Sequence, residues 1–230
     1  TAVPADVVVA NADLPYVYRE LLEDRCYTAW LDKLRYSCSA ISFHWAMDKT
    51  YPELTLHNVF MSENYKNNLD HIFKEKKVSD DPSFYVFCPR ETDPGAAPQG
   101  QDTISVVVPV GHLHKKNKDQ WDAIREQVRK GVLERFEKLG LTDFEQHIKF
   151  EKCLMPETWE TKFHVTKGSV FGSISHFVLQ MGYFRPHNRH RTYRNLYFAG
   201  GSTHPGNGVP LVLMSAALTS ERIIKEHGHE

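Results

Sequence analysis

The sequence predicts an α/β chain, α+β overall, and three observations carry that expectation. Residues 6–10, Asp-Val-Val-Val-Ala, are a continuous apolar run stopped by Asn11 and Asp13, the profile of a strand buried on both faces in a parallel sheet. Residues 195–225 read strand, glycine turn, helix. Between them lie period-two segments and one long amphipathic helix, the parts of a mixed sheet with covering helices.

In chain order, Asp13 is placed to cap a helix with Pro15 in its first turn. Leu14, Val17 and Leu21, then Trp30, Leu31 and Leu34, keep helical spacing to about Tyr36, with a break at 23–25. Ile41, Phe43 and Trp45 alternate with Ser42 and His44, which predicts a strand over Ser39–Met47, and 58–61 continues that character. Ser62 precedes a helix with Tyr65, Leu69, Ile72 and Phe73 on one face and a lysine-rich end. Strands at 83–88 and 103–110 bracket the loop Asp93-Pro-Gly-Ala-Ala-Pro-Gln-Gly100. The clearest helix covers 119–139, with Trp121, Ile124, Val128, Val132, Phe136 and Leu139 inward and Gly140 as its stop. Past 146–150 the pattern is ambiguous until Asn195.

Composition excludes several classes. With 41% hydrophobic and 25% charged residues the chain is not a disordered one. Lys+Arg 28 against Asp+Glu 29 lacks the basic excess that phosphate-backbone binding needs, so no nucleic-acid partner is expected. Cys26, Cys38, Cys88 and Cys153 form no CxxC pair, which fits reduced thiols inside a cell. The longest apolar-plus-small stretch, 208–218, falls short of the roughly 20 residues of a membrane-spanning helix. The first residues carry neither a basic region nor an initiator Met, which predicts no signal peptide and a chain cut from something longer. No histidine pair has metal-ligand spacing, His112-x-His114 and His227-x-His229 included, so no metal is expected.

The segment with chemistry is the turn Gly200-Gly201-Ser-Thr203-His204-Pro205-Gly206-Asn-Gly208 ahead of Val209 and Pro210. Glycines admit close backbone approach, and a helix N-terminus attracts an anion or an electron-rich carbonyl. No Lys-Ser/Thr follows, so it is not a GxxxxGK[ST] phosphate loop. On composition alone, a glycine-rich βα turn without a ligand reads equally well.

The run Tyr183-Phe-Arg-Pro-His-Asn-Arg189 with Asn195-Leu-Tyr-Phe-Ala-Gly-Gly-Ser-Thr-His-Pro-Gly-Asn-Gly-Val-Pro210 resembles the C-terminal signature of phytoene desaturases of the bacterial and fungal type. Ala5-Asp-Val-Val-Val-Ala-Asn-Ala-Asp13, Tyr36-Ser-Cys-Ser39, Tyr51-Pro-Glu-Leu54, His57-Asn58, Asp81-Pro-Ser83 and Gly168-Ser-Val-Phe-Gly172 are similar to family segments in the same order. The resemblance implies a flavoprotein, membrane-associated and intracellular, that dehydrogenates phytoene and partly desaturated carotenes by hydride transfer to FAD. It implies FAD contacts from Gly200, Gly201, Thr203, His204, Pro205, Gly206, Gly208, Val209 and Pro210, a membrane surface as partner, and room for a homo-oligomer. The family's GxGxxG fingerprint is missing, since no glycine precedes Gly95; the chain therefore reads as the C-terminal part of a longer desaturase, inactive alone.

The implied organisation is residues 1–12 as a strand of a Rossmann-like FAD domain, 13–194 as an inserted substrate domain of mixed sheet and helices, and 195–230 as the returning strand-turn-helix. A carotenoid isomerase, a retinol-saturase-like flavoprotein and a non-catalytic fragment stay open as alternatives. Arg185, Arg189, Arg191 and Arg194 suit either anionic groups or surface carboxylates. His204 suits either a proton acceptor or a turn-fixing role. Trp159, Phe163, Phe171, Ile174, Phe177 and Leu179 suit either an apolar substrate entrance or ordinary core.

Overall fold

A computed structural model describes residues 2–114, 120–175 and 177–228; the basic run at 115–118, the helix start at Asp119 and His229 lie outside the described residues. The chain forms two compact units, Cys38–Thr158 and the pair of segments Thr1–Ser37 with Trp159–Glu230.

The continuous unit is built on a five-stranded antiparallel sheet. Its strands are β2 (Ser39–Met47), β3 (His57–Phe60), β4 (Phe84–Phe87), β5 (Asp102–Val110) and β6 (Ile148–Leu154), in the order β3-β4-β5-β2-β6. The strict alternation of β5 turns Ile104, Val106, Val108 and Val110 to one face, level with Ile41, Phe43, Trp45 and Met47 of β2. Helix α4 (Trp121–Lys138) lays Trp121, Val128, Val132 and Phe136 on that face, while Leu139 just past its end is exposed. Gly140 stops the helix at φ 83°. Trp45 donates its indole N–H to Glu151 (2.8 Å), which also accepts from Arg129 Nε (2.8 Å), so the largest core side chain leaves no polar atom unpaired. The stretch after 146–150 that the pattern leaves ambiguous begins with the end of β6 and continues through a helix, Pro156–Phe163, and single turns.

Helix α3 (Tyr65–Asp70), capped by Asn64, differs from its expected face: Asn68 and Ile72 are the buried positions, and Tyr65 and Phe73 are exposed. The helix widens into a π-type turn, His71–Glu75, which rotates its lower half away from the 3.6-residue stripe read from sequence.

The discontinuous unit pairs β1 (Val8–Ala10) with β7 (Leu196–Phe198) in parallel, with Val9 opposite Tyr197. β7 is buried throughout, but Val8 and Val9 of β1 are half exposed, because β1 has a strand neighbour on one side alone among the described residues. Between the strands run α1 (Leu14–Tyr16) with its continuation Val17–Leu21, and α2 (Arg25–Leu31), capped by Asp24 Oδ1 accepting from Tyr27 N–H (2.9 Å). Glu23 at φ 51° makes the expected break. Helix stops at Leu31 instead of Tyr36, because Tyr36 pairs as an isolated bridge with Ile174 and Ser37 N–H bonds Ser173 O. Beyond α5 (Pro156–Phe163) the chain descends through single turns to β7 and then α6 (Val209–His227).

The compact break points, at 37/38 and 158/159, differ from the boundaries at 12/13 and 194/195 drawn from sequence. Leu14, Val17, Tyr18, Leu31 and Ile174 share one apolar cluster with Leu196 and Phe198, so residues 13–37 and 159–194 pack with the two parallel strands. That grouping depends on contacts between segments more than 130 positions apart, which a local shift in composition does not register.

Candidate functional site

Parallel strands leave their C-terminal ends side by side, and α/β proteins bind ligands outside those ends. β1 runs out into Asn11, Ala12 and Asp13; β7 runs out into Ala199, Gly200, Gly201 and Ser202. All seven line one open cavity of about 750 Å³, bounded elsewhere by Gly172, Ser173, Asn207, Gly208 and an apolar wall that includes Phe171, Val209 and Val212.

Of the nine residues the sequence points to, Gly200, Gly201, Gly208 and Val209 line the cavity. Gly208 sits at φ 92° with open space where a Cβ would project. Thr203, His204, Pro205, Gly206 and Pro210 lie outside the lining. Thr203 is buried and donates Oγ1–H to Gly200 O (2.9 Å), closing the turn on itself. His204 donates Nδ1–H to Gly182 O (2.8 Å), leaving Nε2 free of that bond, and stacks on Tyr183. Gly206 is buried.

Asp13 does not cap α1. Its carboxylate accepts from Ser173 Oγ (2.6 Å) and Thr166 N–H (3.0 Å), while Leu14 N–H finds Ser202 Oγ (2.8 Å). Among the described residues of the lining it is the one titratable side chain, and burial raises its pKa above the ordinary carboxylate value against the lowering by its hydrogen bonds, Ser173 first. Asn207 is pinched between two glycines: a Cβ built on Gly172 would come within 2.6 Å of Asn207 Cβ, and one on Gly201 within 3.2 Å. Sequence reasoning missed Asn11, Asp13, Ser202 and Asn207. The available signal was the rule just used, that both strand ends of a parallel pair serve one crevice.

Three of the four arginines engage separate partners. Arg185 is 1% exposed and bonds carbonyls alone; burial pulls its pKa down to about 10, so it stays a cation at neutral pH. Arg189 pairs with Glu226 (3.1 Å), and Arg191 lies over the Tyr27 ring. Of the apolar residues set aside as entrance or core, Ile174 is fully buried and Phe171 lines the cavity; Phe163, Phe177 and Leu179 are exposed. Among the described residues, no His, Cys, Asp and Glu side chains gather in a group of three or more that would hold a metal, and no helix is long and apolar enough to cross a membrane.

His190 stacks between Tyr18 and Tyr193, and its Nδ1 accepts from Thr192 N–H (3.1 Å) and Tyr193 N–H (2.9 Å). Both bonds need the neutral ring, and burial, opposed by Asp24, lowers its pKa below 6.5. The unfolded chain then binds the proton more readily than the folded one. This contribution is complete above pH 6.5 and is lost as pH falls from there through the depressed folded value. Urea midpoints should fall between pH about 7.5 and about 5.5, and His190→Gln should shrink that difference. An unchanged difference in the variant would remove His190 from the account.

No family model matches the chain. Over 99% of its length it is 39% identical to a phytoene desaturase of Fusarium fujikuroi, covering 43% of that protein. To a phytoene desaturase of Phycomyces blakesleeanus it is 43% identical over 98% of its length, covering 40% of the relative. A solved oxidoreductase from Methanosarcina mazei shares the fold, with TM-score 0.50 at 17% identity over 95% of this chain and 43% of that one. With the motifs of 5–13, 168–172 and 183–210 inside the matched span, the chain is similar to phytoene desaturases over nearly all of its own length, and it spans less than half the length of these relatives.

Proposed function

We propose that the protein to which these residues belong is an FAD-dependent carotenoid desaturase, acting on phytoene and partly desaturated carotenes at a membrane surface, and that the cavity at the ends of β1 and β7 receives the flavin ring. The observation that carries this reading is the convergence of both parallel strand ends and the α6 N-terminus on one cavity. The residues fit the group. The N–H groups of Gly201 and Ser202 donate to no acceptor among the described residues, and both residues line the cavity, where a ligand could accept from them. A volume of about 750 Å³ suits a planar ring system. Bound there, FAD would supply the two-electron acceptor for dehydrogenation of a carbon–carbon single bond.

The chain's own contribution is positioning and exclusion of water. Gly201 and Ser202 N–H would meet electron-rich ring atoms, Phe171, Val209 and Val212 keep the wall apolar, and Asp13 is the lining group able to hold a proton. Val178, Leu179, Tyr183 and Phe184 are strongly exposed in consecutive turns, which suits attachment to a bilayer that dissolves so apolar a substrate.

The full-length protein is expected to keep flavin absorbance through gel filtration, and the 230 residues alone are not. Co-expressed with a phytoene source, the full-length protein should turn colourless cells yellow or red; accumulation of cis/trans isomers without new conjugation would reject the reading. Gly208→Val places a branched side chain at φ 92°, a backbone strain that lowers stability although nothing lies within 4 Å, so flavin content should drop further than in Gly140→Val, which carries the same strain at φ 83° in open space away from the cavity. Wild-type flavin content in Gly208→Val would make the turn a structural element only.

A further inference from the structure

Arg185 is among the largest fully buried side chains and a cation with no carboxylate in ion-pair range among the described residues. Burying a charge is costly unless every donor is satisfied. Here the guanidinium fork is used in full: Nε donates to Thr203 O (3.1 Å), Nη1 to Ser175 O (3.2 Å) and Gln180 O (3.3 Å), and Nη2 to Ile174 O (2.7 Å) and Gly201 O. Two of those five carbonyls belong to the glycine turn.

In a trans peptide the C=O and the following N–H point in opposite directions. With Gly201 O drawn onto Arg185, the N–H of Ser202 is turned away from the guanidinium, on a residue that lines the cavity. Gly200 O is likewise engaged by Thr203 N–H (3.3 Å) and Thr203 Oγ1 (2.9 Å), which turns Gly201 N–H away from Thr203. Ser202 Oγ accepts from Leu14 N–H and its hydroxyl bonds the Asp13 carboxyl, so the backbone is what this residue has left to offer a ligand. A charge on the carbonyl side of a peptide also polarises it and strengthens the donor on its other side.

We propose that Arg185 is a positioning residue for the cofactor: by clamping the Gly201 carbonyl it holds the Ser202 N–H as a polarised donor, and by fixing Thr203 through its carbonyl it steadies the residue that orients the Gly201 N–H, so that the two N–H groups face an anionic or carbonyl edge of the flavin ring. The inference rests on the functional reading above. The clamp reaches the ring through one peptide, so its loss acts on the electronics of bound flavin as well as on affinity.

The test uses full-length protein loaded with FAD, with R185K keeping the charge and R185Q keeping donors without it. R185Q should weaken flavin binding about tenfold, the effect of one lost charge-assisted hydrogen bond, and shift the midpoint potential of bound flavin to more negative values. R185K should stay nearer the wild-type potential. A purely structural arginine would lower the melting temperature of both variants and leave the potential alone, and that result overturns the proposal. Should either variant fail to fold, wild-type hydrogen exchange decides: flavin loading should slow exchange at 200–203. Flavin retained with no protection there overturns this inference alone, whereas full-length protein that binds no flavin overturns the functional reading with it.

Discussion

Phe136→Ala should destabilise the continuous unit by about 3–5 kcal/mol, a large part of what a domain of this size holds in reserve. Phe136 is fully buried at the centre of an aromatic cluster, edge-on to Trp45 (6.4 Å), Phe84 (5.9 Å) and Phe60 (5.5 Å), and tilted against Phe144 (4.7 Å). These rings come from α4, β2, β3, β4 and the loop before β6, so no single neighbour can close the cavity left behind. Hydrogen-exchange protection of Ser39–Met47 would report the loss directly. Tyr65→Ala, on an exposed aromatic that the sequence had turned inward, should stay within about 0.5 kcal/mol. Equal losses in the two variants would mean that the core is not organised around α4.

Gly172→Val should be the most damaging single change at the cavity. Its φ of 76° already disfavours a branched residue, and the new Cβ would stand 2.6 Å from Asn207 Cβ, closer than real carbon atoms approach. Strain and overpacking together are expected to remove on the order of 3 kcal/mol from the discontinuous unit and to displace Asn207 from the cavity wall. Gly140→Ala separates the two causes, because it has φ 83° with nothing within 4 Å and should cost only about 1 kcal/mol. Denaturation midpoints of the two variants that coincide would show that Asn207 gives way freely.

The strands were legible wherever one face is buried and the other is not. β5 alternates without a fault, and β2 has the bounds its period-two pattern predicts. Patterning failed where the buried surface is not apolar or the helix is not regular: α3 buries Asn68, and its π-type turn shifts the face. The glycine turn was visible as glycines, yet one side of its cavity comes from Asn11 and Asp13, ordinary polar residues whose role depends on β1 lying beside β7. Arg185 read as one member of a basic cluster because sequence shows a charge and not the five carbonyls that surround it.

Helix α6 is apolar by composition but faces inward with Ser215 and Thr219, while Val209, Leu213, Met214 and Ile224 stand outward. Ser215 Oγ is shared by Gly200 N–H, Asn188 Nδ2 and Thr203 Oγ1, and Thr219 Oγ1 donates to Phe198 O. For anyone producing these residues by themselves, the usual repair of an under-hydrophobic interface is the wrong one. A leucine at 215 would raise the calculated amphipathicity and unseat the turn. Leu213→Glu and Ile224→Lys work on the side that water meets, and they should raise the concentration at which the preparation stays clear without disturbing a single hydroxyl on the other side.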